Sequence, residues 1–368
     1  MHPTPEPGER DLPRTPPPRS RPVDAWPASW LPHRLRRRRP ALLAAGATAL
    51  VTLVALGSVL GTGAAGNDVP SAAGLLGGSE GRQGKSVTAS LPWPDEGQAA
   101  VWVEGFGEHG APGTHGPRRP VPIASVTKVM TAYVILRDHP LRDGGSGPLV
   151  TVDQQAANES FSGSESTVEV RQGQRLSQRR LLELMLIPSG NNIARLLARW
   201  DAGSQEAFVA RMNRAADDLG MDQTTYTGAS GIEPTTTSTA ADQVKLARRV
   251  MRDKAFRSVV ALPHTTAAVG SGTLPNGNEL LDTPGVIGIK TGSSTPAGGA
   301  LMWAVTVADR RGQQHLALGV VLHQSAGTSP QEGLRTVFDT SRTLVEGVRH
   351  RVSAAEPATT SGTPSRTR

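Results

Sequence analysis

The 368-residue sequence contains no cysteine. That absence excludes disulfide bonds, thiol catalysis, iron–sulfur clusters and cysteine-ligated zinc, so a folded domain outside the cytoplasm would depend on its hydrophobic core alone. Histidine offers no replacement as a metal ligand. Pairs such as His109 with His115, and His315 with His323, lack the spacing that two ligands on one helix require. The sequence therefore gives no indication of a histidine-based metal site.

Lysine is scarce as well, with five lysines against 34 arginines. Many of the arginines lie at the two ends. Residues 1–40 hold nine arginines and 11 prolines against four acidic residues, which is typical of a disordered basic tail. Residues 342–368 add five arginines against two acidic residues, and 350–368 are expected to be a second disordered tail. The segment between is close to neutral, so the high isoelectric point gives no reason to expect nucleic acid as a partner.

Residues 41–62 carry no charge over 22 positions. As a helix rising about 1.5 Å per residue, this segment would span roughly 33 Å, enough to cross a bilayer once. Four arginines at 36–39 precede it directly, so the positive-inside rule places residues 1–40 in the cytoplasm and everything after the anchor outside. Small residues at 63–65 leave a cleaved signal peptide as the alternative. Residues 63–97 are predicted to be a flexible linker.

Residues 98–349 are predicted to form the folded domain. The pattern begins with a strand at 99–103 and ends with two apolar runs, 300–308 and 314–322, whose polar connection indicates a hairpin. Helical patterns lie between them, and a further helix closes the domain. Residues 125–136 are apolar almost all round, as expected of a helix buried inside a domain.

Ser125 and Lys128 lie three residues apart at the start of this apolar helix, so both side chains emerge on one face. A serine hydroxyl needs a base, and a lysine serves as one only when burial or a neighbouring cation lowers its pKa. The helix N-terminus adds backbone N–H groups that stabilise developing negative charge. An N-cap serine followed by a surface lysine is the alternative, which the apolar surroundings disfavour.

Ser189 and Asn191 follow Pro188, which ends one apolar helical run just before another helix begins. A hydroxyl and an amide on such a turn could project into a cleft. A plain turn with an N-cap asparagine is an equally good interpretation of the segment taken alone.

Lys290, Thr291 and Gly292 close a predicted strand of alternating pattern. A cation and a hydroxyl at a strand edge can bind a carboxylate, and a glycine lets the backbone of a substrate approach closely. Composition predicts this tripeptide roughly 0.05 times in such a chain, so it is the most specific of the three motifs. A structural lysine at a strand end is the alternative.

The three motifs occur together, separated by 64 and 101 residues, as in penicillin-binding proteins and serine β-lactamases. Residues 122–132 and 186–192 resemble the nucleophile region and the second motif of the D-alanyl-D-alanine carboxypeptidase family nearly residue for residue. The resemblance extends over about 98–349. Three departures concern Asn192, where the family commonly has aspartate, 227–231, where it commonly has an Asn-Pro segment, and 293–295, which are smaller than usual.

The resemblance implies an α/β fold of the penicillin-binding protein and serine β-lactamase kind, with an antiparallel sheet flanked by helices and a helical lobe across the cleft. It implies that Lys128 deprotonates Ser125, which attacks the carbonyl between two terminal D-alanines and forms an acyl-enzyme. Ser189 would relay a proton to the leaving amine, and Asn191 would orient the substrate amide and Lys128.

The resemblance also implies the substrate contacts. The backbone N–H groups of Ser125 and Ser293 would form the oxyanion hole, and Lys290 with Thr291 would bind the terminal carboxylate beside Gly292. No cofactor would be required. The expected partners are peptidoglycan stem peptides as substrates and β-lactams as inhibitors.

Two other functions share these residues. A class A-like β-lactamase would add a glutamate that activates the deacylating water, but Glu159 and Glu165 precede the second motif and Glu233 lies in a different local sequence. A catalytically silent paralogue would bind peptidoglycan or a protein partner through the same pocket, yet it would have no need for a buried base. The sequence does not separate removal of a terminal D-alanine from cleavage of cross-links.

Overall fold

The computed structural model describes residues 87–107, 110–142 and 144–355. The predicted basic tail (1–40), the predicted anchor (41–62) and most of the predicted linker lie outside these residues, as does the end of the C-terminal tail. In the described ranges, no helix is both long enough and apolar enough to cross a membrane.

Short strands and helices alternate through the first two thirds of the described chain, and long strands and one long helix follow. The strands are β1 (Gln98–Val103), β2 (Gly113–His115), β3 (Val121–Pro122), β4 (Leu149–Thr151), β5 (Arg175–Ser177), β6 (Thr237–Ser238), β7 (His264–Thr266), β8 (Thr273–Pro275), β9 (Val286–Ser294), β10 (Gly298–Ala308) and β11 (Gln314–Gln324). The helices are α1 (Lys128–Asp138), α2 (Gln154–Glu159), α3 (Gln178–Leu186), α4 (Asn191–Ala202), α5 (Gln205–Asp218), α6 (Ala240–Val250), α7 (Lys254–Val260) and α8 (Pro330–Ala354).

Five strands form one antiparallel sheet in the order β2-β1-β11-β10-β9. The strand and the hairpin predicted from the apolar runs are both present in it. Trp303 of β10 lies opposite Gly319 of β11, and a Cβ on that glycine would lie 2.0 Å from the indole ring. The small residue at 319 therefore makes room for the largest fully buried side chain of the sheet.

Helices cover both faces of the sheet. Along β10, Leu301 and Trp303 point into a core shared with α8, whereas Met302 and Ala304 point into a core shared with α1 and the helices around it. This alternation follows from the two-residue period of a strand, and both sets are apolar because both faces are covered. The predicted sandwich of an antiparallel sheet between helices is confirmed.

The packed region extends past both predicted boundaries of the domain. Val87 and Leu91, assigned to the linker, are buried in the core beneath α8, and a Cβ on Gly347 of that helix would lie 2.4 Å from Pro92. At the other end α8 continues to Ala354, and Val352 is fully buried. Sequence composition missed these residues because a few buried side chains do not change the polar character of a segment.

Candidate active site

The first two motifs meet at the amine of Lys128. Its Nζ lies 2.8 Å from Ser125 Oγ, 2.5 Å from Asn191 Oδ1 and 2.8 Å from the backbone oxygen of Ser230. The residues come from three separate parts of the chain. Lys128 is fully buried, whereas Ser125 is half-buried.

A short 3₁₀ turn at Ala124–Thr127 presents the serine, and α1 begins only at Lys128. The sequence had predicted one continuous helix from Ser125. The turn is tightened by Thr127, whose hydroxyl donates a 2.7 Å hydrogen bond to the oxygen of Ala124. Ala124 itself has φ 43°, a conformation that a residue with a Cβ rarely adopts. The local structure therefore stores backbone strain next to Ser125, the predicted nucleophile, as functional sites often do.

The surroundings of Lys128 favour its neutral form. Burial lowers its pKa well below the usual value, and the cations of Lys290 and Arg195 lower the pKa further, while Glu165 and Glu233 act in the opposite direction. The condition that the sequence placed on a lysine base, burial together with a neighbouring cation, is met.

A neutral amine has two N–H donors and one lone pair. The carbonyl of Ser230 only accepts hydrogen bonds, and so does Asn191 Oδ1. Both therefore take an N–H from Lys128, which leaves its lone pair directed at Ser125 Oγ. In this arrangement the amine can receive the hydroxyl proton.

The third motif lies inside β9 and does not close it. The strand continues to Ser294 because its pairing with β10 continues, with Lys290 opposite Met302 and Gly292 opposite Ala300. A Cβ on Gly292 would lie 2.9 Å from the backbone nitrogen of Ser125. The glycine is therefore needed for the approach of this strand to the serine turn, a different role from the close approach of a substrate that the motif suggested.

Lys290 is buried, and its Nζ donates to the backbone oxygen of Thr291 at 3.0 Å and to its Oγ1 at 3.4 Å. Burial lowers the pKa of Lys290 to about 7. Ser293 is half-buried on the same strand, one residue beyond the glycine that contacts Ser125. This placement favours the predicted oxyanion pair, whose role remains a prediction.

Ser189 lies on the predicted turn between α3 and α4. It is half-buried and has φ 66°, so the turn with Ser189 and the turn with Ser125 each contain a non-glycine residue in the left-handed region. Its hydroxyl has no hydrogen-bond partner among the residues described. Its predicted role in proton relay is untested by these contacts.

Asn192, one of the departures from the family pattern, has a structural role. Its fully buried amide accepts from the backbone nitrogen of Val168 at 3.0 Å and donates to the oxygens of Val168 and Ala156 at 2.8 and 3.1 Å. Asn192 therefore connects the backbone of Val168 to helix α4.

Three residues that contact Lys128 or its partners were not predicted from the sequence. Ser230 acts through its backbone oxygen, which no side-chain motif identifies. Glu165 accepts a 2.6 Å hydrogen bond from Asn191 Nδ2 and pairs with Arg195 at 2.7 Å. Arg195 lies four residues after Asn191 on α4, and that helical spacing is the one signal that could have found it.

The family model for D-alanyl-D-alanine carboxypeptidases matches residues 114–324. A D-alanyl-D-alanine carboxypeptidase of Mycobacterium tuberculosis, DacB2, is 30% identical over 264 residues, which cover 70% of this chain and 84% of the relative. The chain belongs to the D-alanyl-D-alanine carboxypeptidase family.

Other family members match shorter stretches. The carboxypeptidase of Streptomyces sp. strain K15 is 33% identical over 198 residues, 50% of this chain and 67% of the relative. Escherichia coli DacC matches over 48% of its own length, so this chain spans about half of that relative. Among solved structures, the Streptomyces K15 DD-transpeptidase has a TM-score of 0.57 at 26% identity, covering 70% of this chain and 99% of that one. These matches confirm the predicted fold class.

The carboxylate of Glu165 is poorly placed to activate a deacylating water, as a class A-like β-lactamase requires. Oε2 accepts from Asn191 and Arg195, and Oε1 accepts from Arg195. Burial acts to raise its pKa, but the hydrogen bonds from Arg195 and Asn191 outweigh it and hold the pKa below the usual value. A weak base with both oxygens engaged does not favour the β-lactamase alternative. The intact contact between Ser125 and Lys128 likewise disfavours a silent paralogue.

Proposed function

We propose that this chain is a serine D-Ala-D-Ala carboxypeptidase that trims peptidoglycan stem peptides through an acyl-enzyme and is inhibited by penicillins. The observation that carries the proposal is the 2.8 Å contact between Ser125 Oγ and a buried Lys128 amine whose pKa is lowered. Membership of the carboxypeptidase family supports the same substrate class.

In the proposed reaction Lys128 takes the proton of Ser125 as Oγ forms a bond to the carbonyl carbon between the two D-alanines. The negative charge that develops on the carbonyl oxygen is stabilised by the N–H groups of Ser125 and Ser293. The peptide C–N bond then breaks, and the proton passes through Ser189 to the leaving amine. Water hydrolyses the ester and regenerates Ser125.

Lys290 and Thr291 bind the terminal carboxylate of the substrate. A charged lysine next to a threonine hydroxyl supplies two donors to one carboxylate, and the buried position strengthens the attraction. A β-lactam presents a strained amide and a carboxylate in a similar arrangement, so it occupies the same contacts.

The test uses the full-length chain with an acyl-D-alanyl-D-alanine peptide and with a labelled penicillin. Free D-alanine is expected to accumulate, and peptide mapping is expected to place the penicillin adduct on Ser125. A cross-linked muropeptide dimer assayed in parallel separates carboxypeptidase from endopeptidase activity. An adduct on another residue, or labelling without release of D-alanine, would contradict the proposal.

We propose further that residues 41–62 anchor the protein in the cell membrane once, with residues 1–40 in the cytoplasm and the catalytic domain outside. The uncharged run and the arginines before it support this orientation, and peptidoglycan lies on the outer side of that membrane. Protease added to intact spheroplasts should digest the catalytic domain and spare an epitope placed before residue 36, whereas lysed cells should lose both. Loss of the epitope alone would refute the orientation.

A further inference from the structure

The side-chain amide of Asn191 lies between the amine of Lys128 and the carboxylate of Glu165. Its Oδ1 accepts from Lys128 Nζ at 2.5 Å, and its Nδ2 donates to Glu165 Oε2 at 2.6 Å. An ionised carboxylate can only accept hydrogen bonds, and an amide nitrogen can only donate them. Glu165 therefore permits one orientation of the amide, with the oxygen towards Lys128.

Arg195 holds Glu165 in place. Its two terminal nitrogens lie 2.7 Å from Oε1 and 3.1 Å from Oε2, a two-point contact that fixes the plane of the carboxylate. Its Nε donates to Glu159 at 2.8 Å. Arg195 and Asn191 belong to the same helix, one turn apart, so the arginine fixes the loop that carries Glu165 to the element that carries Asn191.

We propose that Glu165, held by Arg195, is a positioning residue that fixes the amide of Asn191 so that the lone pair of Lys128 faces Ser125. The inference rests on the proposed function of the same site. If the amide turned over, its NH₂ group would face the amine, and the lone pair of Lys128 would accept from Asn191. The hydroxyl of Ser125 would then have no base.

The guanidinium of Arg195 also offsets the effect of the Glu165 charge on Lys128. A carboxylate alone beside the site would favour the protonated amine, and Glu165 does act to raise the pKa of Lys128, whereas Arg195 acts to lower it. The other charged groups that act on the amine are Lys290 on β9 and Glu233, which follows the Ser230 segment. With Arg195 in place, the amide is oriented at little cost to the neutrality of the base.

The test compares rates of Ser125 acylation by a labelled penicillin against pH for the full-length parent and Glu165→Gln. Loss of a negative charge alone would lower the pKa of Lys128, move the acidic limb of the profile to lower pH and leave the plateau unchanged. Loss of positioning lowers the plateau, since a glutamine can present either of its ends to the amide. We expect a plateau about 10- to 100-fold lower, the scale that misplacement of a reacting group produces.

Glu159→Gln is the matched control. It removes the carboxylate that accepts from Nε of the same arginine and leaves Asn191 untouched. We expect its plateau to change less than about threefold, because Arg195 keeps both contacts to Glu165 and the amide of Asn191 keeps its partner, so no reacting group is misplaced. Equal plateau losses in Glu165→Gln and Glu159→Gln would overturn the proposal, since the loss would then not depend on the contact between Glu165 and Asn191.

A double-mutant cycle shows whether Glu165 acts through Asn191. In an Asn191→Ala background, Glu165→Gln should have no further effect on the plateau, because the amide that it positions is gone. Multiplicative losses from the two changes would contradict the proposal. A parent that is not acylated on Ser125 would overturn the proposed function instead, so the two failures are distinguishable.

Thermal unfolding shows whether each variant is folded. Should Glu165→Gln fail to fold, Arg195→Lys carries the test, because a lysine keeps the positive charge but cannot contact both carboxylate oxygens in the same plane. Its plateau should fall while its acidic limb stays near that of the parent. An unchanged plateau would refute the positioning role.

Discussion

Ser125→Ala is expected to abolish acylation by penicillin and to reduce release of D-alanine by about 10⁴-fold or more, the scale of losing a nucleophile that acts as a unit with its base. The loss follows from removal of the hydroxyl oxygen of Ser125 that the Lys128 amine contacts. Stability should change little, because the side chain is half-buried and its removal creates no large cavity. Labelling, peptide assay and thermal unfolding measure the three quantities.

Ser164→Ala provides a matched control. Its hydroxyl is exposed, and its one hydrogen bond to a side chain is with Ser162. This variant should react at the parent rate. If Ser125→Ala retained a penicillin adduct or measurable turnover, another residue would have to be the nucleophile.

Replacing Lys290 should change both the rate and its dependence on pH. Lys290→Ala removes one contact to a carboxylate, which typically costs about 2 to 4 kcal/mol, or roughly 30- to 1000-fold in acylation efficiency. Lys290 also lowers the pKa of Lys128. Without that cation Lys128 holds its proton to higher pH, so the acidic limb should move upward. The measurement is the second-order rate constant for acylation at a series of pH values.

Lys290→Arg separates the two roles. Because the pKa of Lys290 is about 7, the parent should lose its cation, and with it the grip on the carboxylate, as the pH rises through that value. Arginine does not lose its proton in this range. The variant should therefore lack this basic limb and keep its acidic limb near that of the parent, at a lower rate because the donor geometry differs.

The exposed Lys254→Ala controls for loss of a lysine elsewhere and should keep the parent profile. Should Lys290→Ala react at the parent rate with an unchanged profile, the third motif would be a structural feature of β9. The carboxypeptidase proposal would then lose its strongest support from the sequence.

The sequence predicted those parts of the site that depend on local spacing. Ser125 and Lys128 share one face because they lie one helical turn apart, and the turn that carries Ser189 and leads into Asn191 follows from a proline between two helical patterns. Contacts between segments that are distant in the chain could not be predicted from the sequence. The oxygen of Ser230 reaches Lys128 from 102 positions away, and a backbone acceptor leaves no mark in the sequence.

Gly292 is a second example of a contact that the sequence alone could not identify. A glycine within a strand indicates that something comes close, but its identity depends on the tertiary fold. The neighbour is the backbone of Ser125. The sequence gives the order of the two motifs along the chain, but it does not show that they are in contact. The domain boundaries were misjudged for a related reason, because Leu91 and Val352 gain their burial from partners remote in the chain.

The strand order of the main sheet has a consequence for when the proposed activity can arise during synthesis. Once Gly292 has been made, all three motifs exist, yet β1 and β9 still lack the two strands that lie between them. Gln98 pairs with Leu322, more than 200 positions later, and contacts of such separation form late and slowly. We therefore expect a nascent or truncated chain that ends before β11 to carry every reactive group without an assembled site, and the proposed acylation to begin only when the C-terminal hairpin is complete.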